Sequence, residues 1–281
     1  IRDLRMSRGL GDVYKRQNLD GVNVAITSDH YPLYCDFKKP TGLGEYPKAE
    51  GDLRIGNYFL TYCKGTDGVI DYDRTGRIIA KMNADIVCLQ GLDKETERSE
   101  GIDQLNVLAQ KANMHDYFAK AIDYKGGEFG VGILTKEEPV SVDRYQMAGK
   151  SEMRAAMVVE YEKFVVASTN FDTDMAKRIE ALQTLETKLS AYNKPAFLLG
   201  YFNEGDLESE FFQMVKSNWN LLSADKSTEV SGKKRRLDFI VSLKSHNVNV
   251  TQADVIESLS GVDVTVASTH YPLFCDFSGL K

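Results

Sequence analysis

Residues 21–37 read GVNVAITSDHYPLYCDF, and residues 261–277 read GVDVTVASTHYPLFCDF. Eleven of the 17 aligned positions are identical, at an offset of 240 residues. Solenoid repeats recur every ~20–50 residues, so this offset is the length of a domain instead. The simplest organisation is two tandem copies of one domain. Residues 18–39 then carry the last strands of a first copy, and residues 52–277 form the second. Between them, residues 40–51 (PTGLGEYPKAEG) have the Pro and Gly content of a linker. Residues 1–17 are Arg-rich and patternless, and read as a non-native or disordered leader. Ile1-Arg2-Asp3 and Asp12-Val13-Tyr14-Lys15-Arg16-Gln17 resemble translated sequencing-adapter remnants. A targeting signal would lie upstream of such a leader, which leaves localisation open.

Composition narrows the function classes. The net charge of −6 argues against a broad nucleic-acid surface. The main basic cluster, Lys233-Lys234-Arg235-Arg236, fits a solvated loop as well as a phosphate contact. Cys35, Cys63, Cys88 and Cys275 lack the paired spacing of a metal knuckle and read as small core residues. No apolar run approaches the ~20 residues of a membrane span.

Strand-like and helix-like patches alternate from residue 53 onward. Strands are predicted at residues 53–60, 84–90, 129–134, 155–161, 164–168, 195–199, 237–242, 262–267 and 273–277. Helices are predicted at 71–82, 103–112, 175–191 and 207–216, where apolar residues recur at helical spacing. Strands in consecutive sets separated by single helices suit an α/β fold, with packed sheets flanked by helices.

Short motifs then appear in a fixed order. Arg54-Ile55-Gly56-Asn57-Tyr58-Phe59 ends the first strand, and Ala84-Asp85-Ile86-Val87-Cys88-Leu89-Gln90-Gly91 spans the second. A Gly-rich strand follows near Gly130, and then Ser168-Thr169-Asn170-Phe171-Asp172. Gly200-Tyr201-Phe202-Asn203, Leu237-Asp238-Phe239-Ile240 and Ser268-Thr269-His270-Tyr271-Pro272 complete the set. Their order and frame resemble the endonuclease/exonuclease/phosphatase superfamily of magnesium-dependent phosphoesterases, over nearly all of residues 52–277. The resemblance implies a four-layer sandwich of two packed, mostly antiparallel β-sheets flanked by helices.

It also implies a site that has lost its chemistry. The family's metal-binding Asn falls on Phe59, its metal-binding Glu on Gly91 and its phosphate-reaching His on Asn170. The Asp that acts on the attacking water falls on Tyr201, and the metal-linked Asp on Thr269. Asn203 and His270 match the family, and Asp238 matches the carboxylate that orients the histidine. Arg154 fits a position near the site, so Asn170, Asn203 and Arg154 are candidate phosphate contacts. Magnesium takes hard oxygen ligands, including one or two carboxylates. Phe59 and Gly91 offer no side-chain oxygen, and Thr269 offers only a neutral hydroxyl. No metal or other cofactor is therefore expected here, although magnesium serves the parent family.

The first reading is a catalytically inactive domain that stabilises, binds substrate for or binds partners beside an active tandem copy. That copy's last motif, Ser28-Asp29-His30-Tyr31-Pro32, keeps both family residues. A second reading is an active magnesium-dependent hydrolase with relocated ligands drawn from Asp93, Asp172, Asp174, Glu204 and Asp206. A third is a phosphate-binding module without turnover. Expected partners are the preceding domain and a phosphorylated small molecule or lipid, with nucleic acid disfavoured.

Overall fold

A computed structural model describes residues 46–281. The leader, the first-copy segment with Asp29 and His30, Cys35 and the first part of the linker lie outside the described residues. The strands are β1 (Leu53–Phe59), β2 (Ile86–Lys94), β3 (His115–Tyr124), β4 (Gly127–Thr135), β5 (Ser141–Met147) and β6 (Arg154–Glu160). They continue with β7 (Val165–Asn170), β8 (Ala196–Tyr201), β9 (Trp219–Leu221), β10 (Asp238–Leu243), β11 (Asn249–Val255) and β12 (Leu273–Ser278). The helices are α1 (Tyr72–Met82), α2 (Gln104–Ala112), α3 (Met175–Ser190), α4 (Glu210–Asn218) and a short α5 (Val264–Ala267).

Two six-stranded sheets run in the orders β11-β12-β1-β2-β4-β3 and β5-β6-β7-β8-β10-β9. Only the β1/β2 and β7/β8 pairs are parallel. Period-2 alternation sends one row of each strand between the sheets. Ile55, Cys88, Ile133, Met157, Val166, Phe197, Leu199 and Phe277 build that inner core. The opposite rows receive the helices: Ile78, Ile79, Leu105 and Leu108 cover the first sheet, and Leu182, Leu185, Phe211 and Phe212 cover the second. The result is the expected four-layer α/β sandwich.

Local chemistry sets the helix ends. Asp71, Asp103, Asp174 and Ser209 each accept a backbone N–H from the first turn of the helix they precede. Asn83 and Asn113 close α1 and α2 in the left-handed conformation, at φ 51° and 54°. Ser209 moves the start of α4 to Glu210, three residues later than the spacing suggested.

One predicted strand is wrong. Residues 262–267 carry alternating valines, but Asp263 caps Thr265 N at 2.9 Å and starts the helical turn α5. Val264 and Ala267, three apart, are the residues buried there. β3, β5, β11 and the three-residue β9 were not foreseen. They lie at or next to sheet edges, where exposed polar residues dilute the apolar signal.

Arg54 anchors the start of the domain. Its buried guanidinium forms two bonds to Asp276, at 2.6 and 2.7 Å, and lies 3.9 Å from the Phe274 ring centroid. It also donates to the carbonyls of Tyr46 and Pro47. The second half of the expected linker is thus held against β1, with Lys48 adding a 2.8 Å bond to Asp85.

Candidate functional site

The inner rows become polar toward one end of the sandwich. Beyond Ile55 and Cys88 come Asn57 and Gln90. The Gln90 side-chain amide donates to Asn57 Oδ1 at 2.8 Å and to Ser168 Oγ at 3.2 Å, bridging the two sheets. One step further along the same rows lie Phe59, Asn170 and Tyr201, with Asp238 opening β10 and His270 just before β12.

Three rings meet there. The Phe59 centroid lies 4.6 Å from that of Tyr201 and 4.8 Å from that of His270, and Tyr201 and His270 are also 4.8 Å apart. Contacts of this kind are favourable in tilted and edge-on geometry. Gly91 sits directly behind Phe59 in a bulge of β2, at φ 71°. A Cβ at residue 91 would lie 3.2 Å from Phe59 Cε2 and 3.4 Å from Cζ. The ring therefore fills the space into which a longer side chain at residue 91 would project.

His270 Nδ1 lies 2.6 Å from Asp238 Oδ2, and both residues are buried. Asp238 Oδ1 has no hydrogen-bond partner among the described residues, and neither does His270 Nε2. With the proton on Nδ1, Nε2 faces the site as an acceptor. Burial, followed by the nearby Asp238 charge, pushes the Tyr201 phenol above its usual range. A phenol so raised is a poor proton acceptor at neutral pH.

Thr269 meets a residue that the sequence did not single out. Thr61 Oγ1 lies 2.9 Å from Thr269 Oγ1 and 3.4 Å from Ser268 Oγ. Ser268 in turn donates to Phe59 O at 2.7 Å. Thr61 opens a run of three left-handed residues, Thr61, Tyr62 and Cys63, at φ 48°, 47° and 58°. None is a glycine, so no propensity signal announces this turn.

Asn203, at φ 54°, donates to Phe171 O at 2.7 Å and reaches Asn170 Oδ1 at 3.4 Å. Arg154 is held by Asp172 at 3.1 Å and Glu152 at 3.0 Å, which neutralises its charge. Burial lifts the Asp172 carboxyl, but the bonds from Asp174 N and Arg154 outweigh it and hold the group below the usual carboxylate range. Asp93 is paired with Arg98 at 2.5 Å and Glu204 with Arg178 at 3.0 Å. Asp174 is paired with Lys150 at 3.1 Å, and Asp206 accepts from Glu208 N.

Magnesium does not fit this end of the sandwich. Of the carboxylates near the ring cluster, Asp238 has its Oδ2 bound to His270, and Glu229 is held by Arg235. Among the described residues, no group of three or more His, Cys, Asp or Glu side chains is placed to hold a metal ion.

No protein-family model and no curated protein matches this chain in sequence. Solved structures do match. An endonuclease/exonuclease/phosphatase from Beutenbergia cavernae superposes at a TM-score of 0.69 with 18% identity, over 82% of this chain and 73% of that one. A mannosyl-6-phosphatase from Bacteroides thetaiotaomicron gives 0.63 with 15% identity, over 80% and 99%. The human Nocturnin catalytic domain gives 0.60 with 18% identity, over 81% and 93%. Identities this low establish a shared fold, which is that of the superfamily the motifs resemble.

Proposed function

We propose that this domain is a phosphoesterase-fold protein that has exchanged hydrolysis for binding. One observation carries the reading: the contact between Phe59, Tyr201 and His270, with Gly91 behind it. In the superfamily frame these are the places of the metal-binding Asn, the water-activating Asp, the conserved His and the metal-binding Glu. Here they form a packed ring cluster, with Asp238 bound to the histidine and Glu229 to Arg235. A metal normally polarises the phosphoryl oxygen and generates the nucleophile, and this cluster supports neither step. The five acidic residues from which a relocated site would be built already accept from arginine, lysine or backbone N–H groups. We further propose that the domain serves beside a tandem copy whose last motif includes Asp29 and His30. That part fails if the gene upstream of Asn18 lacks the remaining superfamily motifs.

The test is hydrolysis of bis(4-nitrophenyl) phosphate and 4-nitrophenyl phosphate with magnesium or manganese. The expected rate equals that of buffer. Turnover that Glu204→Ala or Asp206→Ala abolishes would restore the relocated-ligand hydrolase.

A further inference from the structure

The same site has an open rim whose chemistry differs from that of a phosphate cleft. Phe59 and Tyr201 are each half-buried, so part of each ring faces outward above the buried His270. Beside them stand the half-buried Thr61 and the exposed Thr269, and the amides of Asn170 and Asn203 lie on the β7/β8 side. We propose that this rim binds a neutral polyhydroxylated ligand of about sugar-ring size; the proposal rests on the non-hydrolytic reading above.

Charge is the first reason. The charged groups that bear on Tyr201 are Asp238, Arg235 and Glu229. Glu229 holds Arg235 with two bonds of 2.7 Å, so that pair cancels. What remains is Asp238, with one oxygen on His270 and the other without a partner. This field repels a phosphate. The adjoining cleft of about 460 Å³ is balanced in charge, with Lys234, Arg235 and Arg236 against Glu204, Asp206 and Asp225.

Hydrogen-bond polarity is the second reason. With the proton on Nδ1, toward Asp238, His270 Nε2 can accept a hydrogen bond. Each threonine hydroxyl both donates and accepts, and keeps capacity beyond the bonds of Thr61 to Thr269 and Ser268. A sugar hydroxyl meets both needs, whereas an ionised phosphate brings acceptors alone. The ring faces complement the polarised C–H groups of a sugar, because an aromatic face is electron-rich.

Backbone conformation is the third reason. Left-handed geometry is strained at a non-glycine residue, and three such residues in a row bring Thr61 against Thr269. Strain of this kind persists where surrounding structure imposes it, and it clusters at ligand clamps. Here Cys63 N bonds to Leu60 O at 3.0 Å, and Arg98 lies 3.8 Å from the Tyr62 ring centroid, so the turn is held from both sides.

The experiment is saturation-transfer NMR on the full chain. The probes are glucose, mannose, N-acetylglucosamine and myo-inositol, with glucose 6-phosphate and mannose 6-phosphate as charged twins. Transfer is expected to at least one neutral probe, and more weakly to its charged twin. Tyr201→Ala should reduce that signal at least fivefold, and Thr61→Val should also weaken it. Tyr201→Leu, which keeps most of the volume and removes the ring, covers the case in which the alanine variant unfolds. The proposal is overturned by no transfer to any neutral probe, by stronger transfer to a phosphate ester, or by an unchanged signal in a folded Tyr201 variant. Phosphorus NMR of the same samples separates the two readings. Released inorganic phosphate contradicts the non-hydrolytic reading, whereas absent sugar binding without release contradicts the ligand assignment alone.

Discussion

If Phe59 and Gly91 are a matched pair, their substitutions should not be additive. Gly91 sits at φ 71°, so alanine there costs ~1–2 kcal/mol from backbone geometry alone. Its Cβ would also lie 3.2 Å from Phe59 Cε2, below the ~3.5–4.0 Å optimum for carbon atoms. The ring must then turn by a fraction of a rotamer, at a cost of about 0.5–1.5 kcal/mol. Gly91→Ala should therefore destabilise by roughly 1.5–3.5 kcal/mol, the sum of these two costs. Phe59→Ala removes a half-buried ring and should cost less than the ~3–5 kcal/mol of a fully buried phenylalanine. In the double variant the backbone cost stays and the contact cost vanishes. Urea unfolding of the four proteins, followed by circular dichroism, should show a coupling of about 0.5–1.5 kcal/mol at unchanged m-value. Additivity within ~0.3 kcal/mol would refute the steric link between the two positions.

Other predictions follow from the same contacts. Arg54→Met leaves the Asp276 carboxylate buried and should cost ~3–5 kcal/mol, read by the same unfolding assay. Arg235 pulls the Glu229 carboxyl down from 4.5 to about 2. Because its folded pKa lies below the unfolded one, this pair's stabilisation is present above pH ~4.5 and lost as pH falls toward ~2. Arg235→Ala should move the Glu229 titration upward in carbon-detected NMR and flatten the acid limb of stability. Burial pushes the Cys63, Cys88 and Cys275 thiols well above their usual range. Iodoacetamide with peptide mapping should leave all three unmodified in the native state and label them in urea.

Much of the sandwich was legible in the sequence, and the physical reason is burial on two sides. Residues such as Ile86 to Leu89 in β2 and Val165 to Ala167 in β7 face one core or the other at every step, so the chain writes them as unbroken apolar runs. The helices announced themselves through apolar residues at helical spacing, while the caps at Asp71, Asp103 and Asp174 emerged in the structure. β3, β5 and β11 were not legible, because a half-exposed strand such as Ser141–Met147 carries the exposed Asp143 on one face and Arg144 and Gln146 on the other, and β9 is only three residues long. The valines at 262, 264 and 266 mimicked a strand because alternation records residue type and not the cap at Asp263.

At the candidate site, the five positions where the resemblance implies substitution could be named one at a time. Their contact was not legible, because Phe59, Tyr201 and His270 come from β1, β8 and the segment before β12. Nothing in Thr61-Tyr62-Cys63 marks three consecutive left-handed residues, so the hydroxyl pair Thr61–Thr269 was missed. The acidic residues near the lost positions looked free in sequence. Their partners Arg98, Lys150, Arg154 and Arg178 emerged only in three dimensions.

The most direct measurement is the electron paramagnetic resonance spectrum of manganese titrated into the unaltered chain. A parallel titration uses a variant carrying Phe59→Asn, Gly91→Glu, Tyr201→Asp and Thr269→Asp. All manganese is expected to stay free in the unaltered chain, while the variant, if folded, should bind about one equivalent through its added oxygen ligands. Saturable binding of one equivalent by the unaltered chain, accompanied by phosphodiester hydrolysis, would contradict the loss of the metal site.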